Sequence, residues 1–178
     1  NFNLFSILSI ERYELKHSAL IANLLDPKGS HGCGDAFLRA FFEIALKERA
    51  YPFEDCTHLH SYTEYYTGPI AGDTGGRIDI LVKSSHYGLI IENKIYAGDQ
   101  DKQLTRYDNY GKETFGADGY LLVYLTLYGH DASKESTATK SAEEVGYLRL
   151  SYAKDILLWL KECVRLADNK PLVRESLN

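Results

Sequence analysis

The spacing of apolar residues switches between helical and alternating along the chain, and each switch marks an element. Glu14, His17, Ile21 and Leu24 recur at i, i+3, i+7 and i+10, which predicts a helix over residues 11–25 that Asp26-Pro27-Lys28-Gly29 ends. The connector His31-Gly32-Cys33-Gly34-Asp35 follows, with Asp35 placed to cap a second helix. That helix carries Phe37, Leu38, Phe41, Phe42, Ala45 and Leu46 on its core side and stops before Pro52. Alternation then takes over. Cys56, His58 and His60 share one side of a first strand that continues through residues 62–67, and the glycine-rich run from Gly68 to Gly76 reads as a loop. Ile78, Ile80, Leu81 and Val82, then Leu89, Ile90 and Ile91, form two β-rich runs around the hairpin loop Ser84-Ser85-His86-Tyr87. Helical spacing returns from Ala97-Gly98-Asp99 to about Tyr110. A buried strand at 120–127, a polar, exposed stretch at 128–146 and a short strand at 147–151 come next. The last predicted helix, 153–166, buries Ile156, Leu157, Trp159, Leu160 and Cys163.

Two helices, three strands, a helix, two strands and a helix predict an α/β sandwich with a central mixed sheet flanked by helices. A length of 178 residues with 44% hydrophobic and 25% charged content suits one domain over residues 1–178. The segment from Pro171 stops where a further helix would begin, so the native chain is expected to continue past Asn178. No apolar run reaches the length of a membrane span and residues 1–10 do not resemble a signal peptide, so a soluble, cytoplasmic protein is expected. Cys33, Cys56 and Cys163 are too scattered for a disulfide framework. A net charge of -5 argues against an extensively basic surface, yet it is compatible with an acidic metal site beside a local basic patch.

Three charged residues interrupt the apolar strands without a structural need. Glu92 and Lys94 alternate onto one side, with Ile91 and Asn93 on the other. A four-residue loop pairs Lys83 with Gly88 and therefore sets Asp79 opposite Glu92, with Cβ atoms about 4.5–5.5 Å apart. Two carboxylates at that distance repel unless a cation lies between them, and oxygen ligands suit a hard ion such as Mg²⁺. The competing reading is a Glu92–Lys94 ion pair on an exposed edge strand with Asp79 solvated. Apolar residues on both sides of 89–91 favour a central strand, where such charges are costly. Other candidates are weaker: Cys56, His58 and His60 lack a fourth zinc ligand, His31 suits a surface loop, and Glu14-x-x-His17 lacks the second copy a di-iron site needs. Lys102 and Arg106 form an i, i+4 basic pair that solubility explains, and that would suit phosphates beside an acidic site.

Asp79, a hairpin and then Glu92-Asn93-Lys94 resemble the pattern of the PD-(D/E)xK nuclease superfamily, with Ile78 where the literal motif has proline. Glu14-Leu15-Lys16-His17-Ser18, Leu24-Leu25-Asp26-Pro27, His31-Gly32 and Gln103-Leu104-Thr105-Arg106-Tyr107 are similar to one branch of it. The resemblance implies a restriction-endonuclease-like fold and a metal-dependent nuclease that leaves a 5′-phosphate and a 3′-hydroxyl. Asp79 and Glu92 would hold Mg²⁺ or Mn²⁺ with the Asn93 carbonyl and Glu14, Lys94 would assist the water or the phosphate, and Gln103 would be a site residue. Glu64, at a position similar to a frequently acidic one of the family, would be a metal-site group or support one. The implied partner is nucleic acid, DNA foremost, with a homo-oligomer left open. The alternatives are a nucleic-acid or protein-binding module on the same fold that no longer turns over, and a structural domain in which the three charges form only an ion-pair network.

Overall fold

The computed structural model describes residues 14–47, 50–53, 56 and 58–177. Helix α1 (Glu14–Leu25) is followed by the short α2 (Ala36–Ala40), which runs on into a π-helical turn at Phe41–Ala45. Strands β1 (His60–Ala71), β2 (Thr74–Lys83) and β3 (Gly88–Lys94) precede α3 (Gln103–Phe115), β4 (Tyr120–Thr126), the single turn α4 (Ala142–Val145) and β5 (Tyr147–Ser151). A second π-helical turn, Tyr152–Ile156, opens α5 (Leu157–Leu166), and α6 (Pro171–Leu177) follows. The sheet order is β1-β2-β3-β4-β5, antiparallel across the first three strands and parallel across β3, β4 and β5. This is the mixed α/β sandwich the element order predicts.

Both sheet faces are covered, and so β3 is buried at every position. On one side Ile80, Val82, Leu89, Ile91, Val123 and Leu125 pack with α1, α2 and α5, where Trp159 donates to the Phe37 carbonyl at 2.8 Å and meets the Phe41 ring edge-on. On the other, Ile78, Leu81, Ile90, Leu122 and Tyr124 pack with Leu104 and Tyr107 of α3. Charged residues on β3 therefore lie in a central strand, which removes the exposed-edge reading.

β2 changes faces at Asp79. Ile78 belongs to the α3 side and Ile80 to the α1 side, whereas a regular strand puts residues two apart on the same side. Across the β1–β2 ladder, between the pairs Thr63↔Ile80 and Tyr65↔Ile78, Glu64 takes a φ of 48°. That is a left-handed conformation costly for a residue with a Cβ, and such irregularities collect at functional sites.

Several expectations need correction. Gly68 to Gly76 is paired, with Gly68↔Gly76 and Ala71↔Thr74 closing a two-residue turn at Gly72-Asp73, because glycine supplies the positive φ (58° at Gly72) that such a turn requires. The first strand begins at His60, after Cys56 and His58. Asp35 does not cap α2 with its side chain and instead accepts from Arg39, Tyr51 and Cys56. His31 is buried, stacked on Phe37, and holds its own turn through Asp26 O and Cys33 N. α3 starts at Gln103 and not at Ala97. The polar stretch after Tyr128 is not wholly exposed: Ser136 and Thr137 are buried, and Glu135 O and Ser136 O accept from Lys102 N and Leu104 N, taking up the free amides at the start of α3. Leu157, 47% exposed, faces away from the core. Among the described residues no helix is long and apolar enough to cross a membrane.

Trp159→Ala removes the largest fully buried side chain and its hydrogen bond. It should cost about 3–5 kcal/mol in denaturant unfolding followed by far-UV circular dichroism, and a loss under about 1 kcal/mol would contradict this packing.

Candidate active site

The β2–β3 ladder has the inferred register, Lys83↔Gly88 through Ile80↔Ile91, but its regular pairs end there. One step further, Asp79 replaces a backbone acceptor: its Oδ2 takes the Asn93 N–H at 2.7 Å. The Asp79 and Glu92 carboxyls meet at this opening, and Glu92 feels the charge of Asp79.

Glu92 is 1% exposed. Lys94 Nζ lies 2.9 Å from its Oε1 in an ion pair, and by hydrogen-bond geometry neither carboxylate oxygen has a partner among the described residues. Burial pushes the Glu92 carboxyl well above the usual carboxylate range, the Asp79 charge pushes it further, and Lys94 offsets part of this. Asp79 is raised as well, chiefly by burial, against the pull of the Asn93 N–H and of Lys94. Burial works to lower the Lys94 pKa, but Glu92 outweighs it and the ammonium is held charged. A half-buried Asp79 beside a buried Glu92 whose oxygens lack hydrogen-bond partners among the described residues fits a small, hard, oxygen-seeking cation, which would supply what Glu92 lacks.

Asn93 faces the opposite side and acts as a tie. Its Nδ2 donates to Ser18 Oγ at 3.0 Å and to Glu14 O at 3.3 Å, while Tyr152 donates to its Oδ1 at 3.0 Å. One β3 side chain thus fixes both α1 and the π-helical turn, and His17 packs edge-on against Tyr152 at 5.7 Å. Glu14 comes close to the pair, but its Oε1 accepts from three successive amides, Ile95, Tyr96 and Ala97, at 2.7, 2.9 and 3.0 Å. Burial tends to raise its pKa, and those three N–H groups reverse this to a net lowering.

Gln103 is buried on α3. Its Oε1 accepts from Gln100 N at 3.3 Å and its Nε2 lies 3.4 Å from the Tyr107 hydroxyl, which donates to Arg77 O at 2.6 Å. Burial raises the Tyr107 pKa and the charges of Glu92 and Asp79 add to it, so this hydroxyl stays protonated next to the acids. Tyr124, opposite Glu92 in the β3–β4 ladder, donates to Asp99 at 2.9 Å. The fold thus gathers Asp79, Glu92 and Lys94 at one opening, with Glu14 and Gln103 on its two flanks. It leaves Glu64 exposed, 3.7 Å from Arg77. Tyr152 and Ser18 carry weight that sequence reasoning missed. Ser18 stands in the Glu14–Ser18 motif, but nothing in the pattern marks Tyr152, 59 residues from its partner.

An α/β sandwich with an Asp, a Glu and a Lys at the end of its central hairpin has the architecture of a nuclease-type domain. The model of the PD-(D/E)XK nuclease superfamily matches residues 2–177, and the chain belongs to that superfamily. No curated protein matches the sequence. Among solved structures, the crystal structure of a protein of unknown function, AF1548, is similar at 15% identity and a TM-score of 0.32, covering 72% of this chain and 66% of that one.

Two raised carboxyl pKa values set a pH dependence. Between the ordinary carboxylate range and the raised folded values the folded state holds a proton that the unfolded state has lost, so stability falls as pH rises. In EDTA the melting temperature should therefore fall with rising pH across that window, and Glu92→Gln should flatten the fall. An unchanged slope in Glu92→Gln would show that its carboxyl is not costly to ionise in the fold.

Proposed function

We propose that the chain is a metal-dependent phosphodiester hydrolase acting on nucleic acid in the cytoplasm, with DNA its foremost substrate. The observation that carries this reading is the buried Glu92 beside the half-buried Asp79, with both Glu92 oxygens lacking a hydrogen-bond partner among the described residues and a charged Lys94 at 2.9 Å. Asp79 and Glu92 would hold Mg²⁺ or Mn²⁺, with the Asn93 carbonyl and the second oxygen of Glu14 completing the oxygen set. When bound, such an ion supplies Lewis acidity at the scissile phosphate and lowers the pKa of water.

The remaining work falls to the chain. Lys94 faces the same opening and stabilises the negative charge that builds on the phosphate. Glu14 holds the backbone of 95–97 and so fixes the exit of β3. Gln103, with its amide committed to Gln100 and Tyr107, acts as a positioning residue for the Tyr107 hydroxyl. Incubating labelled single- and double-stranded DNA and RNA with Mg²⁺ or EDTA tests the reading: cleavage that requires the metal supports it, and binding without cleavage favours a module that no longer turns over.

Paired substitutions separate metal holding from charge stabilisation. Glu92→Ala should weaken Mg²⁺ binding in calorimetry together with cleavage, since it removes a charged oxygen ligand. Lys94→Ala should leave Mg²⁺ affinity unchanged or slightly improved, yet slow single-turnover cleavage about a hundredfold or more, the effect of losing about 2.7–4 kcal/mol of positioned charge. Wild-type cleavage by Lys94→Ala would reduce this lysine to an ion-pair partner and overturn the mechanism.

A further inference from the structure

The basic pair on α3 is not a pair in the fold. Lys102 stands just before the helix, half-buried, with Nζ 2.7 Å from Asp73. Arg106 is 2% exposed. Its Nη2 lies 3.4 Å from Gln100 Oε1, its Nε has no acceptor, and no carboxylate of the described residues lies within 4.0 Å of it. Arg106 therefore buries a guanidinium without a carboxylate partner among the described residues. That arrangement is costly unless an anion completes it.

The surroundings say where that anion would come from. Arg106 follows Gln103 by one helical turn and precedes Tyr107, whose hydroxyl feels the charges of Arg106, Glu92 and Asp79 alike. Gln100, its one side-chain partner, is itself exposed and in turn donates its N–H to Gln103. The side-chain partner of this cation among the described residues is therefore one weakly held, exposed amide. The other arginines of the described residues, Arg39, Arg77, Arg149, Arg165 and Arg174, each pair with an acid. A buried arginine without a carboxylate partner, close enough to Tyr107 for its charge to be felt there together with those of Glu92 and Asp79, is what an anionic substrate needs in order to approach the acids.

We propose that Arg106 binds a phosphate of the substrate next to the scissile one, reached when the Gln100 side chain swings outward. The identity of that phosphate as part of a nucleic acid rests on the nuclease reading above; the anion site itself does not. A buried charge kept for a ligand makes an unusual double prediction: removing it should not harm the fold, and should harm binding.

The test uses Arg106→Gln, close in size and neutral, with Arg106→Lys as the charge-retaining control. Melting in EDTA is followed against rising inorganic phosphate. Wild type should gain several degrees, Arg106→Gln should start at or above the wild-type melting temperature and gain nothing, and Arg106→Lys should keep part of the gain. In cleavage assays Arg106→Gln should raise KM about tenfold with kcat little changed, and lower the salt-dependence slope by about one phosphate contact. An equal response to phosphate in wild type and Arg106→Gln, including none in either, overturns the proposal. If wild type cleaves no nucleic acid at all, the nuclease reading fails and the phosphate comparison still decides Arg106.

Discussion

The cost of keeping two carboxyls out of water at one point, where β2 and β3 cease to pair, organises much of this fold. Buried acids are ordinarily neutralised, paired or bound to metal. Here Asp79 is partly satisfied by the Asn93 amide and Glu92 only by the nearby charge of Lys94. The protein therefore supplies the acids and leaves their satisfaction incomplete, which is a poor choice for stability and a good one for binding a cation.

What holds the acids in so unfavourable a place is the opposite side of the same strand. Asn93 alternates away from Glu92 and Lys94 and binds Ser18, the Glu14 carbonyl and Tyr152, so the strand cannot shift without breaking three hydrogen bonds to two other elements. Glu14 closes the frame by holding three amides beyond Lys94. On the α3 side, Tyr107 reaches across to the Arg77 carbonyl and fixes β2 just before Asp79. Strand alternation thus divides the labour: even positions of β3 carry the chemistry and odd ones anchor it.

Much of this was legible in the sequence because it depends on local rules. The four-residue loop set the Lys83↔Gly88 register, and alternation put Glu92 and Lys94 together and Asn93 opposite. The parts that were not legible depend on tertiary context. Gly68 to Gly76 reads as a loop by composition, yet glycines also permit the positive φ of a tight hairpin. Ser136 and Thr137 lie in a polar run, and only the unpaired amides at the start of α3 make their burial worthwhile. The change of faces at Asp79 needs the left-handed Glu64 across the ladder, and Glu64 carries no local signal for it. Arg106 has the same periodicity as an exposed residue would, and its burial follows from packing alone.

If Glu92, with both oxygens lacking a hydrogen-bond partner among the described residues, and the neighbouring Asp79 hold a divalent cation, that ion lies between their carboxylates. Anomalous diffraction from crystals grown with Mn²⁺ tests it most directly. A peak is expected within direct ligand distance of one oxygen from each carboxylate, with Lys94 displaced from Glu92 or turned toward the entrance. A fully occupied Mn²⁺ elsewhere, with the Glu92–Lys94 ion pair intact and no density between the two acids, would contradict it.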